Sequence, residues 1–401
     1  MAKTTHSKTT SHADTSADTR TMLVPMLRIG GVGLATIVLI YIVASANLFP
    51  LVVKGDTPGT ATSTPPTLPA FDKLAYDKKM LAIANAPTST WAAFLAATSS
   101  NPLLSLPTIS ASIKATLSTS TLKALTTLKW PVQNLPYPLP GALLPNNRIV
   151  AYYGNFYSTG MGVLGATPPS VMIPKLKAAV AQWQAADPST PVIPAIDYID
   201  ITAQGSAGKD GKYRARMPDS QIDIALDLAR QVNGIVILDI QVGLSTLPAE
   251  LPLLEKYLSM PNVHLAIDPE FAMHNGAKPG TVVGTYSAAD INYAANYLAG
   301  LVKKNNLPPK ILIVHRFTQG MVTGSASITP LPEVQVVMDM DGWGSATRKI
   351  GTYQAYEQNA PVQFTGFKLF YKNDLKVPST AMMTPSQVLK LTPQPLFIQY
   401  Q

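Results

Sequence analysis

The sequence predicts an α/β chain built around a single (β/α)8 TIM barrel. Three observations carry that expectation. First, eight short apolar segments end on polar side chains: IVAYYGN on Asn155, VIPAID on Asp197, IVILDIQ on Asp239 and Gln241, and VHLAIDPE on Asp268 and Glu270. They continue with ILIVH on His315, VQVVMDMD on Asp339 and Asp341, FTGFK on Lys368, and LFIQ on Gln399. Second, stretches of helical spacing or loop character separate these segments, as a parallel barrel requires. Third, the last segment lies at the C-terminus, where the eighth strand belongs.

Side chains alternate faces along a strand, so residues two apart share one side. One face then holds Ile235, Ile237, Asp239 and Gln241 on the third segment, and His264, Ala266, Asp268 and Glu270 on the fourth. Ile311, Ile313 and His315 share a face of the fifth, Gln335, Val337, Asp339 and Asp341 of the sixth, and Phe364, Gly366 and Lys368 of the seventh. If these faces point inward, their polar ends converge on one mouth. Helices are expected over 169–185, 218–232, 248–258, 287–304, 345–358 and 384–391, with Pro218 and Pro248 suited to first turns. Ser287 with Asp290 three positions on forms a capping-box pattern.

Ahead of the barrel the composition changes four times. Residues 1–28 are polar, and residues 29–53 are apolar for long enough to span a membrane as a signal-anchor. Basic residues before that run place the N-terminus in the cytoplasm and the barrel outside the membrane, periplasmic or extracellular. Ala44-Ser45-Ala46 is the competing signal, a small-x-small cleavage site. Residues 54–70 form a Pro/Thr/Ser linker, and 71–147 a helical and extended pre-barrel segment expected to wrap the bottom or side of the barrel. In that segment Trp130 and Tyr137 could instead serve a lid. The barrel itself is expected over 148–401.

Of the 401 residues, 46% are apolar, 13% are charged and none is cysteine, which removes disulfides, thiolate metal sites and a cysteine nucleophile. The net charge of +8 comes from scattered residues such as Lys175, Lys212, Lys303 and Arg348, with no aromatic-interleaved basic stripe, so a nucleic-acid partner is not expected. No G-x-S-x-G is present, and the GGVG at 30–33 lies inside the apolar run rather than in a phosphate loop.

Four of eight segments end in acids of one parity, and apolar surroundings make such a group unfavourable unless its members are paired, protonated, metal-bound or working. The sharpest element is IDPE, whose Asp268 and Glu270 should have backbones about 6.6 Å apart. Such a pair suits glycoside hydrolysis, with Glu270 as general acid and Asp268 as its partner. Asp239 and Asp339 are expected to stabilise charge. His315 and Lys368 would bind substrate oxygens, joined by Asn155, Asp197, Gln241, Arg316, Asp341 and Gln399. Tyr152, Tyr153, Trp343 and Tyr371 are candidate sugar platforms. This reading needs no cofactor. A second reading has Asp239, Asp268, Glu270, Asp339 and His315 hold Mg²⁺, Mn²⁺ or Ca²⁺ for a metal-dependent hydrolase. A third is a non-catalytic module that binds cell-wall glycan.

Asp-x-Glu on the fourth strand resembles the signature of muramidase-type lysozymes and of chitinases that use the substrate acetamido group, which implies a carbohydrate substrate. The chain lacks the two further aspartates of the chitinase run, and FIQYQ resembles the last muramidase strand without its tryptophan. More broadly, RIVAYYGN, LDIQVG, IDPEF, VHRFTQGM, MDMDGWG and TGFKLFYKND resemble a group of uncharacterised exported bacterial proteins over about residues 135–401. That resemblance implies domain extent and export.

Overall fold

In the computed structural model, residues 71–85, 119, 129–132 and 135–401 are described. The expected tail, signal-anchor and linker lie outside them. No described helix is long and apolar enough to cross a membrane.

Eight parallel strands close into a ring: β1 (Arg148–Gly154), β2 (Val192–Ala203), β3 (Ile235–Ile240), β4 (Val263–Ile267), β5 (Lys310–Arg316), β6 (Val334–Met340), β7 (Phe364–Leu369) and β8 (Phe397–Tyr400). Neighbours follow sequence order, and β1 pairs with both β8 and β2, which closes the barrel. Closure leaves no free strand edge, so every barrel strand has a neighbour on both sides. The second strand is longer than expected. It runs six residues past Asp197 and is irregular between Ile199 and Ile201. Its extension pairs antiparallel with the short strand Arg214–Arg216, which buried Glu250 secures by accepting from Arg214 Nε (2.8 Å) and Arg216 Nε (2.6 Å).

The expected parity holds. Ile149, Ala151, Ala195, Ile235, Ile237, Ala266, Ile311, Ile313, Val337, Phe364 and Phe397 form one apolar cluster inside the barrel. The alternate residues, among them Val150, Ile196, Val236, Leu238, Leu265, Leu312 and Val336, form a second cluster with the surrounding helices.

The outer helices follow the spacing of their apolar residues. α2 (Pro169–Ala186) and α3 (Asp219–Gln231) fall within a residue of expectation. α4 (Ala288–Asn305) buries Ile291, Ala294, Ala295, Leu298 and Val302, an i, i+3, i+4, i+7 face. It opens with the Ser287–Asp290 capping box and ends at Asn306 in the left-handed region (φ 51). α5 (Ala346–Tyr353) continues into a π-turn through Gln358. Two expected helices are reduced. Residues 247–258 break into three short pieces, because Pro252 cannot donate to the carbonyl four residues back. Of 384–391 only Pro385–Val388 is helical.

The helix α1 (Lys73–Ile83) places Tyr76, Met80, Leu81 and Ile83 in the interior cluster, with Trp130 and Leu144. Each such side chain contributes about 1.5–3 kcal/mol by leaving water. Trp130 Nε1 donates to Gln363 O (2.8 Å), just before β7 begins, and Gln335 at the start of β6 bonds Leu144 in both directions. Residues 71–85, 129–132 and 135–145 therefore close the N-terminal end of the barrel. Trp130 and Tyr137 sit there, opposite the mouth, so the lid expectation is corrected.

Candidate active site

A cavity of about 430 Å³ opens at the C-terminal strand ends, within the roughly 300–1,000 Å³ usual for ligand sites. Tyr153, Gln241, Asp268, Glu270, Asp341 and Lys368 supply most of its polar lining, and Met161, Phe271, Phe317, Trp343 and Phe370 its apolar walls.

Glu270 lies one residue beyond the turn at Pro269, on a short 3-10 segment capped by Asp268. Asp268 Oδ1 accepts from Glu270 N (2.9 Å), and its Oδ2 accepts from Gln241 Nε2 (3.3 Å). Gln241 also donates to Tyr153 Oη (3.3 Å) and accepts from Ala203 N (3.1 Å), so its amide is fixed from three sides. Burial pushes the Asp268 carboxyl well above the usual range, despite the opposing charge of His315. Burial, then Asp341, raises Glu270 to about 7 against the pull of Lys368 and His315. Asp341 itself pairs with Lys368 Nζ at 3.0 Å. Lys368 also stands 4.0 Å from the Tyr153 ring centroid. Burial works to lower Lys368, but Asp341 and other carboxylates more than offset it and leave it raised.

Below this layer His315 lies between two carboxylates. Nε2 is 2.8 Å from Asp239 Oδ2 and Nδ1 is 3.2 Å from Asp339 Oδ2, with Asp341 Oδ2 at 3.6 Å from Nδ1. Burial alone would lower His315, yet Asp239, Asp339 and Asp341 overcome it and hold the ring well above its ordinary value. A carboxyl group at each nitrogen favours the imidazolium form, in which both nitrogens donate. Gly366 makes room for this group: it pairs in register with Asp339, and a Cβ there would strike Asp339 Oδ1 and lie 2.9 Å from the Phe397 ring. Asp197 completes the floor, accepting from Gln399 Nε2 (2.6 Å). Burial raises its carboxyl well above normal, with Asp239 adding to the effect.

Of the residues expected at the mouth, Tyr153, Gln241, Asp268, Glu270, Asp341, Trp343 and Lys368 line the cavity. Asp197, Asp239, His315, Asp339 and Gln399 are inward but fully buried beneath it, so they touch one another rather than a ligand. Four expectations are corrected. Tyr152 has the outward parity and packs edge-on to Tyr371 and Tyr400, with its hydroxyl 3.0 Å from that of Tyr371. Tyr371 stacks on Tyr400 beside a separate cavity of about 630 Å³ at the outer wall, which Tyr152 also lines. Arg316 is outward, 5.1 Å from the Tyr356 ring and facing the charge of Glu357. Asn155 is spent on backbone, donating to Ile199 O (2.9 Å) and accepting from Tyr157 N (2.9 Å). His264 is the hydrogen-bonded interior residue expected, accepting from Ile311 N at 3.1 Å.

The sequence reading missed Arg348, Met161, Phe271 and Phe317 as lining residues. It also missed the buried pair Lys349–Asp374 (2.7 Å), which joins α5 to the turn after β7. Lys349 Nζ donates as well to Lys368 O (2.7 Å), which ties that pair to the mouth. Only the mid-helix lysine on an otherwise apolar face of α5 hinted at it.

No family model matches the chain, and no curated protein sequence matches it. Its structural neighbours include a GH5-4 broad-specificity endoglucanase from Clostridium longisporum, with 11% identity, TM-score 0.35, and 59% of this chain and 76% of that one covered. A ruminal GH26 endo-β-1,4-mannanase shares 11% identity at TM-score 0.31, covering 64% and 59%. A GH18 chitinase from Pseudoalteromonas aurantia shares 12% at TM-score 0.32, covering 64% and 94%. Likeness this weak carries no argument about the site. The class rests on the closed ring of strands: a (β/α)8 barrel with a carboxylate-lined mouth.

The raised pKa of Glu270 has a direct consequence for stability. Above about 7 the folded chain carries a carboxylate that its surroundings disfavour, and below the ordinary value of 4.5 both states are protonated and the penalty vanishes. Glu270→Gln is therefore expected to raise the urea unfolding midpoint at pH 8 and to converge on wild type below pH 4.5. A variant less stable than wild type at pH 8 would show the carboxylate to be stabilised where it sits.

Proposed function

We propose that the chain is a glycoside hydrolase whose general acid is Glu270. One observation carries this reading: a half-buried carboxyl on the cavity wall, held near neutrality at about 7, faces a second carboxylate, Asp341, that Lys368 pairs at 3.0 Å. An acid raised toward neutrality beside a carboxylate paired by a lysine is what acid-assisted cleavage of a glycosidic bond needs. Glu270 gives its proton to the departing oxygen as that bond breaks. Asp341 stabilises the positive charge that develops on the sugar, and water adds to the sugar carbon and returns a proton to Glu270. Asp268 acts through Glu270, because its hydrogen bond to the Glu270 backbone fixes the turn. Tyr153 and Gln241 hold the floor beneath the substrate.

The metal-dependent reading has less support. Both nitrogens of His315 are engaged by carboxylates, which leaves no lone pair for a metal. No group of three or more His, Asp or Glu is arranged to hold a metal among the described residues.

Release of reducing ends from peptidoglycan, chitin and α- and β-glucans by the full-length protein tests the reading. Glu270→Gln is expected to lower the rate by about 10²–10⁴-fold, with the wild-type rate unaffected by EDTA and falling as pH rises through about 7. Loss of activity in EDTA with recovery on adding a divalent cation would favour the metal hydrolase. Glycan pull-down without turnover would leave a binding module.

We also read residues 29–53 as a membrane anchor that holds the barrel outside the cytoplasm, beside envelope or extracellular glycan. Their predominantly apolar character, without a charged residue, supports this. In alkali-washed membranes the chain should stay in the pellet, with its barrel open to protease only from the outer side. A chain recovered in the soluble cytoplasmic fraction would refute the anchor.

A further inference from the structure

Part of the cavity wall is cationic and aromatic, and bond cleavage does not use it. Arg348, in the first turn of α5, lines the mouth cavity together with Trp343. Its guanidinium stands 5.4 Å from the Trp343 ring centroid, and Lys376 Nζ stands 5.0 Å from the same ring. Neither cation pairs with a carboxylate among the described residues. Exposed cations elsewhere on the barrel do find acids, as Lys256 finds Asp219 and Lys304 finds Glu255.

The rim is also held in place. The Arg348 side chain lies over the backbone of Gly344 (φ +135), where a Cβ would come within 3.0 Å of Arg348 Cδ. Gly344 N donates to Asp374 Oδ1 (2.9 Å), and Asp374 in turn accepts from buried Lys349. The segment that carries Trp343 and Arg348 is thus fastened to the turn that leads to Lys376. Charge within the cavity is uneven as a result. Asp341 is matched by Lys368, burial raises Asp268 toward its neutral form, and Glu270 is raised to about 7. Arg348 is left as the uncompensated charge among the lining residues.

We propose that the substrate is a glycan bearing carboxylate groups, and that Arg348 reads one of them with its guanidinium fork while Trp343 holds the guanidinium in plane. This deepens the glycosidase reading and rests on it. A planar five-donor fork suits a carboxylate in a way a lysine does not. Trp343 is then a support for Arg348 rather than a free sugar platform, since two cations already stand against its ring.

Calorimetric titration of the full-length protein with hyaluronate tetrasaccharide and with chitotetraose tests this. Both probes carry N-acetylglucosamine, and only the first carries carboxylates. Hyaluronate is expected to bind about tenfold more tightly, with the margin shrinking as salt is added. Arg348→Gln should remove the preference by weakening hyaluronate far more than chitotetraose, while Arg348→Lys recovers only part of it. Arg348 is exposed, so neither change threatens the fold. Equal affinities in wild type, or a preference that survives Arg348→Gln, would overturn the proposal while leaving the glycosidase reading intact. Failure of both probes to bind would sink the proposal and the glycan reading together.

Discussion

The rest of the site depends on one constraint: the upper barrel interior must reconcile several carboxylates with almost no water. Asp197, Asp239, Asp268 and Asp339 come from β2, β3, β4 and β6, and Asp341 follows directly after β6. A buried charge without a partner costs several kcal/mol. The protein meets this in two ways. It pairs the inner acids with His315 from β5 and Lys368 from β7. Burial also raises Asp197 and Asp268, which favours their neutral form and eases the need for a counter-ion. His315 is central, since it bridges Asp239 and Asp339 across the barrel and its charge bears on Asp268 and Glu270. Gly366 belongs to the same arrangement, because the carboxylate of Asp339 occupies the space a side chain there would fill.

From that floor upward the mouth is built in layers. The sealed network sets the electrostatics, Gln241 and Asp268 hold the turn of Glu270, and the walls supply apolar cover and a cationic edge. At the opposite end α1 and the residues around Trp130 seal the interior with apolar side chains. Access from solvent is therefore confined to the end where the polar groups gather, which makes the division of labour between the two ends a matter of packing as much as of chemistry.

Much of this was legible in the sequence, because a barrel strand states its parity openly. Period-2 alternation in IVILDIQ, VHLAIDPE and VQVVMDMD gave the inward set, and that set is inward in the structure. Depth was not legible. Asp239 and Asp341 both close apolar runs, yet one lies beneath the floor and the other lines the cavity, because depth is fixed by stagger between strands that are far apart in sequence. Tyr152 and Arg316 were misplaced for a simpler reason: each neighbours an inward residue, Tyr153 and His315, and a one-residue step reverses the face. Arg348 and the Lys349–Asp374 pair join distant loops, and no local pattern marks such contacts. The N-terminal apolar run is legible in sequence alone, since its structure lies outside the described residues.

The measurement that bears most directly on this account is the charge state of His315 in the folded protein. Side-chain ¹⁵N NMR across pH 6 to 9, with the resonance assigned by its loss in His315→Gln, reports both ring nitrogens separately. The account requires both to stay protonated above the ordinary histidine value of 6.5, because Asp239, Asp339 and Asp341 outweigh the cost of burial. A neutral ring at pH 7, or a titration near the ordinary value of 6.5, would contradict it. The ion-paired floor of Asp239, His315 and Asp339 would then be lost from the account, and with it the electrostatic foundation of the mouth.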